Sequence, residues 1–144
     1  MSEILIVDDL AVFRDPVADA LRRHGHMVTT AENGRQCLDM VIQKVPDLIL
    51  LDISMPVLGG IDTLLALRAD PRSSHMPVIM LTDTSDRESI THAAQLGING
   101  YVLKSSFSFE TLLARIGEAL DSRTVDAELD ELGVIEAPTK RGAA

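Results

Sequence analysis

Tryptophan is absent from this 144-residue chain, and three phenylalanines and one tyrosine are its only aromatic side chains. The core must therefore be aliphatic, and an aromatic platform for stacking single-stranded nucleic acid is not expected. Cysteine occurs once, as Cys37, which excludes a disulfide within the chain and favours a reducing compartment. No apolar run approaches the length needed to cross a bilayer, and the N-terminus enters an apolar strand without a signal-peptide pattern. A soluble, cytoplasmic protein is the expectation. Positive charge is scarce too: thirteen Lys and Arg stand against twenty-two Asp and Glu, for a net charge of -9. That balance opposes binding to a phosphate backbone, which needs clustered basic residues, and suits a protein partner or a divalent cation.

Hydrophobic residues make up 46% of the chain and charged ones 24%, which suits one folded domain with a sizeable core. Short apolar runs alternate with amphipathic stretches. ILIV at 4–7 reads as a buried strand ending in two aspartates. From 10 to 24, Leu10, Phe13, Val17, Ala20 and Leu21 share a helical face, Pro16 sits near the start, and Gly25 supplies a stop. MVTTA at 27–31 has the β-branched content of a strand. Asn33 can cap a helix carrying Cys37, Leu38, Val41 and Ile42, which Pro46 ends. DLILLD at 47–52 is apolar on both faces, as a central parallel strand should be. SMPVLGG at 54–60 is loop chemistry, followed by a helix with Ile61, Leu64, Leu65 and Leu67. Pro77 opens the strand VIML, and Ser85 to Glu88 spells a capping box for a helix that stops near Gly97. YVLK at 101–104 is a fifth strand, and 109–120 a fifth helix. Five strand-then-helix units predict an α/β fold: a five-stranded parallel sheet, doubly wound, with helices on both faces.

Ligands of such sheets bind beyond the carboxyl ends of the strands, where the strand order switches. Polar residues should gather there, and they do. Asp8 and Asp9 follow the first strand, Asp52 the third, Thr82 the fourth, and Lys104 closes the fifth. Taken singly, an Asp doublet is more often a turn or helix cap, Thr82 an ordinary N-cap, and Lys104 an exposed strand-end charge. Together they converge on one rim. Three carboxylates buried side by side need a compensating cation, and Mg²⁺ is the expected one. A hydroxyl and an ammonium opposite can bind the oxygens of a transferring phosphoryl group, with Asp52 as its acceptor.

On these motifs the chain resembles the receiver domain of bacterial two-component response regulators, over residues 3 to about 121. The resemblance rests on ILIVDD at 4–9, LILLDISMP at 48–56 with Gly59 and Gly60 after it, VIMLT at 78–82 and YVLK at 101–104. It implies a flavodoxin-like (βα)5 fold and a phosphorylation-dependent signalling switch rather than an enzyme. By the same resemblance Asp8 and Asp9 hold Mg²⁺, with Asp52 and the backbone carbonyl of Ser54 as further ligands. Asp52 is phosphorylated, Thr82 is the switch hydroxyl, and Lys104 pairs with the phosphoryl group. Tyr101 is the aromatic that couples the site to the face formed by helix 4, strand 5 and helix 5. The implied donor is a sensor histidine kinase or a histidine phosphotransfer protein. The implied recipient is a downstream protein or a fused output domain, and the helix 4–strand 5–helix 5 face is one that receivers use for homodimers. No direct nucleic-acid or membrane binding is expected.

Two positions depart from the family. Ser105 stands where proline is usual, so the Lys104–Ser105 peptide bond is expected to be trans and Lys104 to approach at a different angle. Asp83 stands where a small residue is usual; a solvent-facing side chain is the expected reading, crowding of the phosphoryl donor the sharper one. Ser54 and Thr84 occupy the two positions that influence phosphoryl lifetime in the family, and set no clear direction. The close pair His24 and His26 reads as a solvated turn, Cys37 as a small core residue, and Phe107 and Phe109 as packing at the start of helix 5. Residues 1–121 are expected to form the domain and 122–144 a tail or linker. A short helix over 125–132, extending or folding back on helix 5, and a flexible remainder are expected there. Two other functions compete: a pseudo-receiver that binds partners without phosphorylation, and a haloacid-dehalogenase-type phosphatase. The latter carries its nucleophilic Asp after the first strand, in D-x-D, which does not match.

Overall fold

Branched aliphatic residues occupy both faces of the central strands, the composition of a sheet covered on two sides. The computed structural model describes residues 2–83 and 87–132, with 122–132 as backbone alone. Five strands, β1 (Glu3–Val7), β2 (Met27–Ala31), β3 (Leu48–Asp52), β4 (Val78–Thr82) and β5 (Gly100–Leu103), alternate with five helices. The helices are α1 (Ala11–Arg23), α2 (Gly34–Gln43), α3 (Gly60–Ala69), α4 (Arg87–Gln95) and α5 (Phe109–Leu132). All strand pairs are parallel, in the order β2-β1-β3-β4-β5. The doubly wound sheet expected from the sequence is the fold observed.

Alternation along the strands sorts the core into two layers. Ile4, Ile6, Leu48, Leu50, Ile79 and Leu81 face α1 and α5, meeting Val17, Leu21, Leu112 and Ile116. Leu5, Val7, Ile49, Leu51, Val78 and Met80 face the other way, against Cys37 and Val41 of α2, Leu64 and Leu67 of α3, and Ala93 of α4. The chain starts at the strand next to one edge, adds β2 as that edge and then crosses to β3 on the other side. β1 and β3 therefore flank the switch in strand order, and the crevice beyond their carboxyl ends is the place for a ligand.

Local signals hold in detail. Asn33 caps α2, its side chain accepting a hydrogen bond from the Gln36 N–H at 2.9 Å. Gly25 follows α1 and Gly97 follows α4, with φ of +92° and +87°. Helical periodicity was less exact at the margins of each apolar face. Leu10 lies just outside α1 and is 46% exposed, while Ala18 is fully buried. Ile42 and Leu65 are also exposed. A stripe of apolar residues identifies the inward face, but its width is set by neighbouring helices. α5 runs unbroken to Leu132, past the end at 120 read from the sequence. α4 begins at Arg87, so Ser85 and Asp86 of the expected capping box, and residues 136–144, lie outside the described residues.

Candidate functional site

β1 ends at Val7 and passes straight into Asp8, whose N–H donates to the Ala31 carbonyl of β2 at 3.1 Å. Asp8 is fully buried. One carboxylate oxygen, Oδ1, accepts the Leu10 N–H at 2.9 Å and so closes the turn that admits α1. The Asp8 carbonyl accepts from Arg14 Nη1 at 2.9 Å, which ties that turn to the helix behind it. The doublet thus serves as the turn that a sequence reading would first suspect, and leaves Asp8 Oδ2 for other work. Asp9 is exposed beside it. Across the switch point, Asp52 ends β3 and is 4% exposed. One carboxylate oxygen from each of Asp8, Asp9 and Asp52 lies within 4.8 Å of the others.

Lys104 reaches this cluster from the end of β5. Its side chain is 9% exposed, with Nζ 2.7 Å from Asp8 Oδ2 and 3.6 Å from Asp52 Oδ2. The short contact is an ion pair without hydrogen-bond geometry, and Asp8 Oδ2 has no hydrogen-bond partner. Burial, then the charge of Asp8, push the Asp52 carboxyl up to about 7; Lys104 works against that shift, Asp9 adds to it, and the Ser54 backbone N–H opposes it. One ammonium cannot balance three ionised carboxylates. The surplus of negative charge, all on oxygen donors, and an Asp8 Oδ2 that accepts no hydrogen bond fit a small hard divalent cation.

The remaining expected residues differ in burial. Thr82 ends β4 and is buried, its Cα opposite Leu103 of β5, one residue beyond the Leu81 that pairs with Asp52. Ser54 is exposed in the loop after β3. Tyr101 is 45% exposed on β5, on the surface rather than in the site. Asp83 is exposed, as expected of a solvent-facing loop residue. No cis peptide bond occurs among the described residues, and Lys104 opens a short 3₁₀ turn, Lys104–Ser106. His24 and His26 lie far along the chain from these residues, at the α1–β2 turn, and Cys37 is buried.

Three features were not read from the sequence. The Lys104 ammonium lies over the Phe13 ring, 4.7 Å from its centroid, and Phe13 meets Phe107 edge to face at 5.3 Å. Both residues border the α1–α5 core, so packing was the natural reading of their positions. Gly60 opens α3 against the Asp52 strand end: a Cβ there would collide with the Asp52 carbonyl oxygen and lie 2.8 Å from Ile53 Cα. Only glycine permits that approach. In the intervening loop the Leu58 N–H donates to the Pro56 carbonyl at 2.7 Å, around Val57 at φ +69°. That is a γ-turn of the strained hand, carried by a β-branched residue.

Comparison with known proteins gives one answer. The model of the response regulator receiver domain matches residues 4–117. The chain is 41% identical over 115 residues to chemotaxis protein CheY of Pseudomonas aeruginosa, covering 79% of this chain and 92% of that one. Among solved structures, Vibrio cholerae chemotaxis protein CheY4 is 31% identical with a TM-score of 0.77, covering 83% of this chain and 98% of the other. NtrX of Brucella abortus matches 91% of this chain but 29% of its own, at 27% identity and a TM-score of 0.83. With sheet order, strand-end residues and relatives in agreement, this chain belongs to the response regulator receiver domain family.

Proposed function

We propose that this receiver works as a phosphorelay switch in which Asp52 accepts the phosphoryl group. One observation carries the reading: Asp8, Asp9 and Asp52 converge within 4.8 Å at the switch point, with the Lys104 ammonium against two of them. The donor set fits Mg²⁺, with Asp8, Asp9, Asp52 and the Ser54 backbone carbonyl as protein ligands. When bound, Mg²⁺ supplies charge neutralisation for the carboxylates and for the oxygens of the incoming phosphoryl group.

The chain's own residues do the rest. An Asp52 carboxylate oxygen attacks the phosphorus of a phosphohistidine; the new P–O bond forms as the P–N bond breaks, and the imidazole nitrogen leaves with the electron pair. Lys104 binds a phosphoryl oxygen from the position it already holds between Asp8 and Asp52. Thr82, at the end of the adjacent strand, is the hydroxyl drawn to the new charge. Tyr101 conveys the change to the α4–β5–α5 face, where the phosphorylated state is favoured by these added contacts. A sensor histidine kinase or histidine phosphotransfer protein is the donor. The recipient is a downstream protein, a fused output domain or a second copy docking on that face. Residues 1–121 constitute the receiver and 122–144 a tail or linker. No described helix is long and apolar enough to cross a membrane, and a cytoplasmic setting accords with this role.

The test is transfer from a radiolabelled phosphohistidine protein to wild type and to Asp52→Asn. Wild type takes the label and the variant does not. Label on the variant overturns the choice of Asp52, and a wild type that takes none supports the phosphorylation-independent binding module instead.

A further inference from the structure

Proline is absent after Lys104, and the lysine leaves β5 on a trans peptide bond into a 3₁₀ turn ending at Ser106. Its four-carbon stem is flexible, and an ammonium is a point charge with no preferred direction of approach. Neither carboxylate holds it by a directional bond. Asp8 Oδ2 is close at 2.7 Å but lacks hydrogen-bond geometry, and Asp52 Oδ2 at 3.6 Å is beyond that range. A third contact restrains the ammonium, the face of Phe13 at 4.7 Å. That distance lies inside the range of about 6 Å over which a ring quadrupole attracts a cation, and the attraction is stronger where water is excluded.

Phe13 is in turn held edge to face by Phe107, with ring planes at 73°. The pair joins two segments remote in sequence. Phe13 lies in the first turn of α1, behind Asp8 and Asp9, and Phe107 lies directly after the turn that begins with Lys104. We infer that Phe13, braced by Phe107, is a positioning residue that fixes the Lys104 ammonium between Asp8 and Asp52, where the phosphoryl group arrives. This rests on the reading of Asp52 as acceptor. Leucine at 13 would fill the same margin of the α1–α5 core, but it offers no π face to the ammonium. Apolar packing and lysine positioning therefore make different predictions.

The experiment compares wild type, Phe13→Leu and Phe13→Tyr, each with Lys104 and with Lys104→Met. The rate measured is phosphoryl uptake from acetyl phosphate with Mg²⁺: the acyl P–O bond breaks, acetate leaves with the electron pair, and the Asp52 O–P bond forms. Phe13→Leu slows uptake roughly fivefold, while Phe13→Tyr, which keeps the ring, stays within about twofold of wild type. With Lys104→Met the leucine substitution has no further effect, because the group it positions is gone. Equal rates for wild type and Phe13→Leu overturn the inference. So does equal slowing by leucine and tyrosine, or an undiminished leucine effect beside Lys104→Met. A second readout needs no phosphorylation and serves even where Phe13→Leu fails to fold. The Lys104 ε-methylene protons of wild type and Phe13→Tyr resonate upfield through the ring current, and their resonance at ordinary lysine positions overturns the geometry. Wild type that takes no phosphoryl group from any donor removes the Asp52 reading and this inference together. Wild type that is phosphorylated no faster than Phe13→Leu removes this inference alone.

Discussion

Folding makes the Asp52 carboxyl hard to ionise, and that has a consequence for stability. Burial first, and the Asp8 charge second, raise it from an ordinary 3.8 to about 7. Between those values the native state holds a proton that the unfolded chain has lost, so stability falls as pH rises across that window. Below about 4 the group imposes no penalty; above about 7 the penalty is complete. Asp52→Asn removes it. In EDTA the variant is expected to melt higher than wild type at pH 8, by about 3 °C for each kcal/mol relieved, with little difference at pH 4. Thermal melts at both pH values check this, and a pH-independent difference contradicts it. At this scale the sequence was informative about what must be charged and silent about what holds the charge. Asp8, Asp9, Asp52, Thr82 and Lys104 were legible because strand ends in a parallel sheet share a rim. Phe13 was not, because its apolar spacing matches that of Val17 and Leu21, and nothing local reveals that Lys104 comes to lie on its ring.

Elements in this fold are fastened by contacts that join distant parts of the chain. Arg68, near the end of α3, donates to the carbonyls of Leu96 at 3.1 Å, Gly97 at 2.6 Å and Ser73 at 3.1 Å. It thereby satisfies carbonyls at the end of α4 that the helix cannot satisfy itself. Arg68→Ala is expected to lower stability by about 1–3 kcal/mol, since those acceptors lose a charged donor. Urea denaturation measures the loss, and hydrogen exchange should show faster opening around Leu96 and Gly97. An unchanged midpoint contradicts the role. The strands were legible within a residue or two because their apolar runs are bounded by Asp, Pro and Gly. Two matters were not. The exposed Leu10, Ile42 and Leu65 show that periodicity gives a face but not its edges. The helix read over 109–120 runs on to Leu132: no proline interrupts 109–132, Gly117 does not break it, and the tail's apolar spacing is compatible with an unbroken helix.

For the whole molecule, order of strands is what turns scattered residues into a site. Five parallel strands wound in two directions from β1 bring β1 and β3 together, and with them three carboxylates separated by up to 44 positions in sequence. A net charge of -9 adds to the case for a cation rather than a nucleic acid at the rim. Family membership and fold agree with this arrangement, and phosphorylation of Asp52 is the claim on which the functional account depends. Intact-mass spectrometry after incubation with acetyl phosphate tests it most directly, run in Mg²⁺ and in EDTA on wild type and Asp52→Asn. One added phosphoryl group is expected on wild type in Mg²⁺, and none in EDTA or on the variant. An adduct of equal yield in EDTA, or one that survives Asp52→Asn, would contradict it.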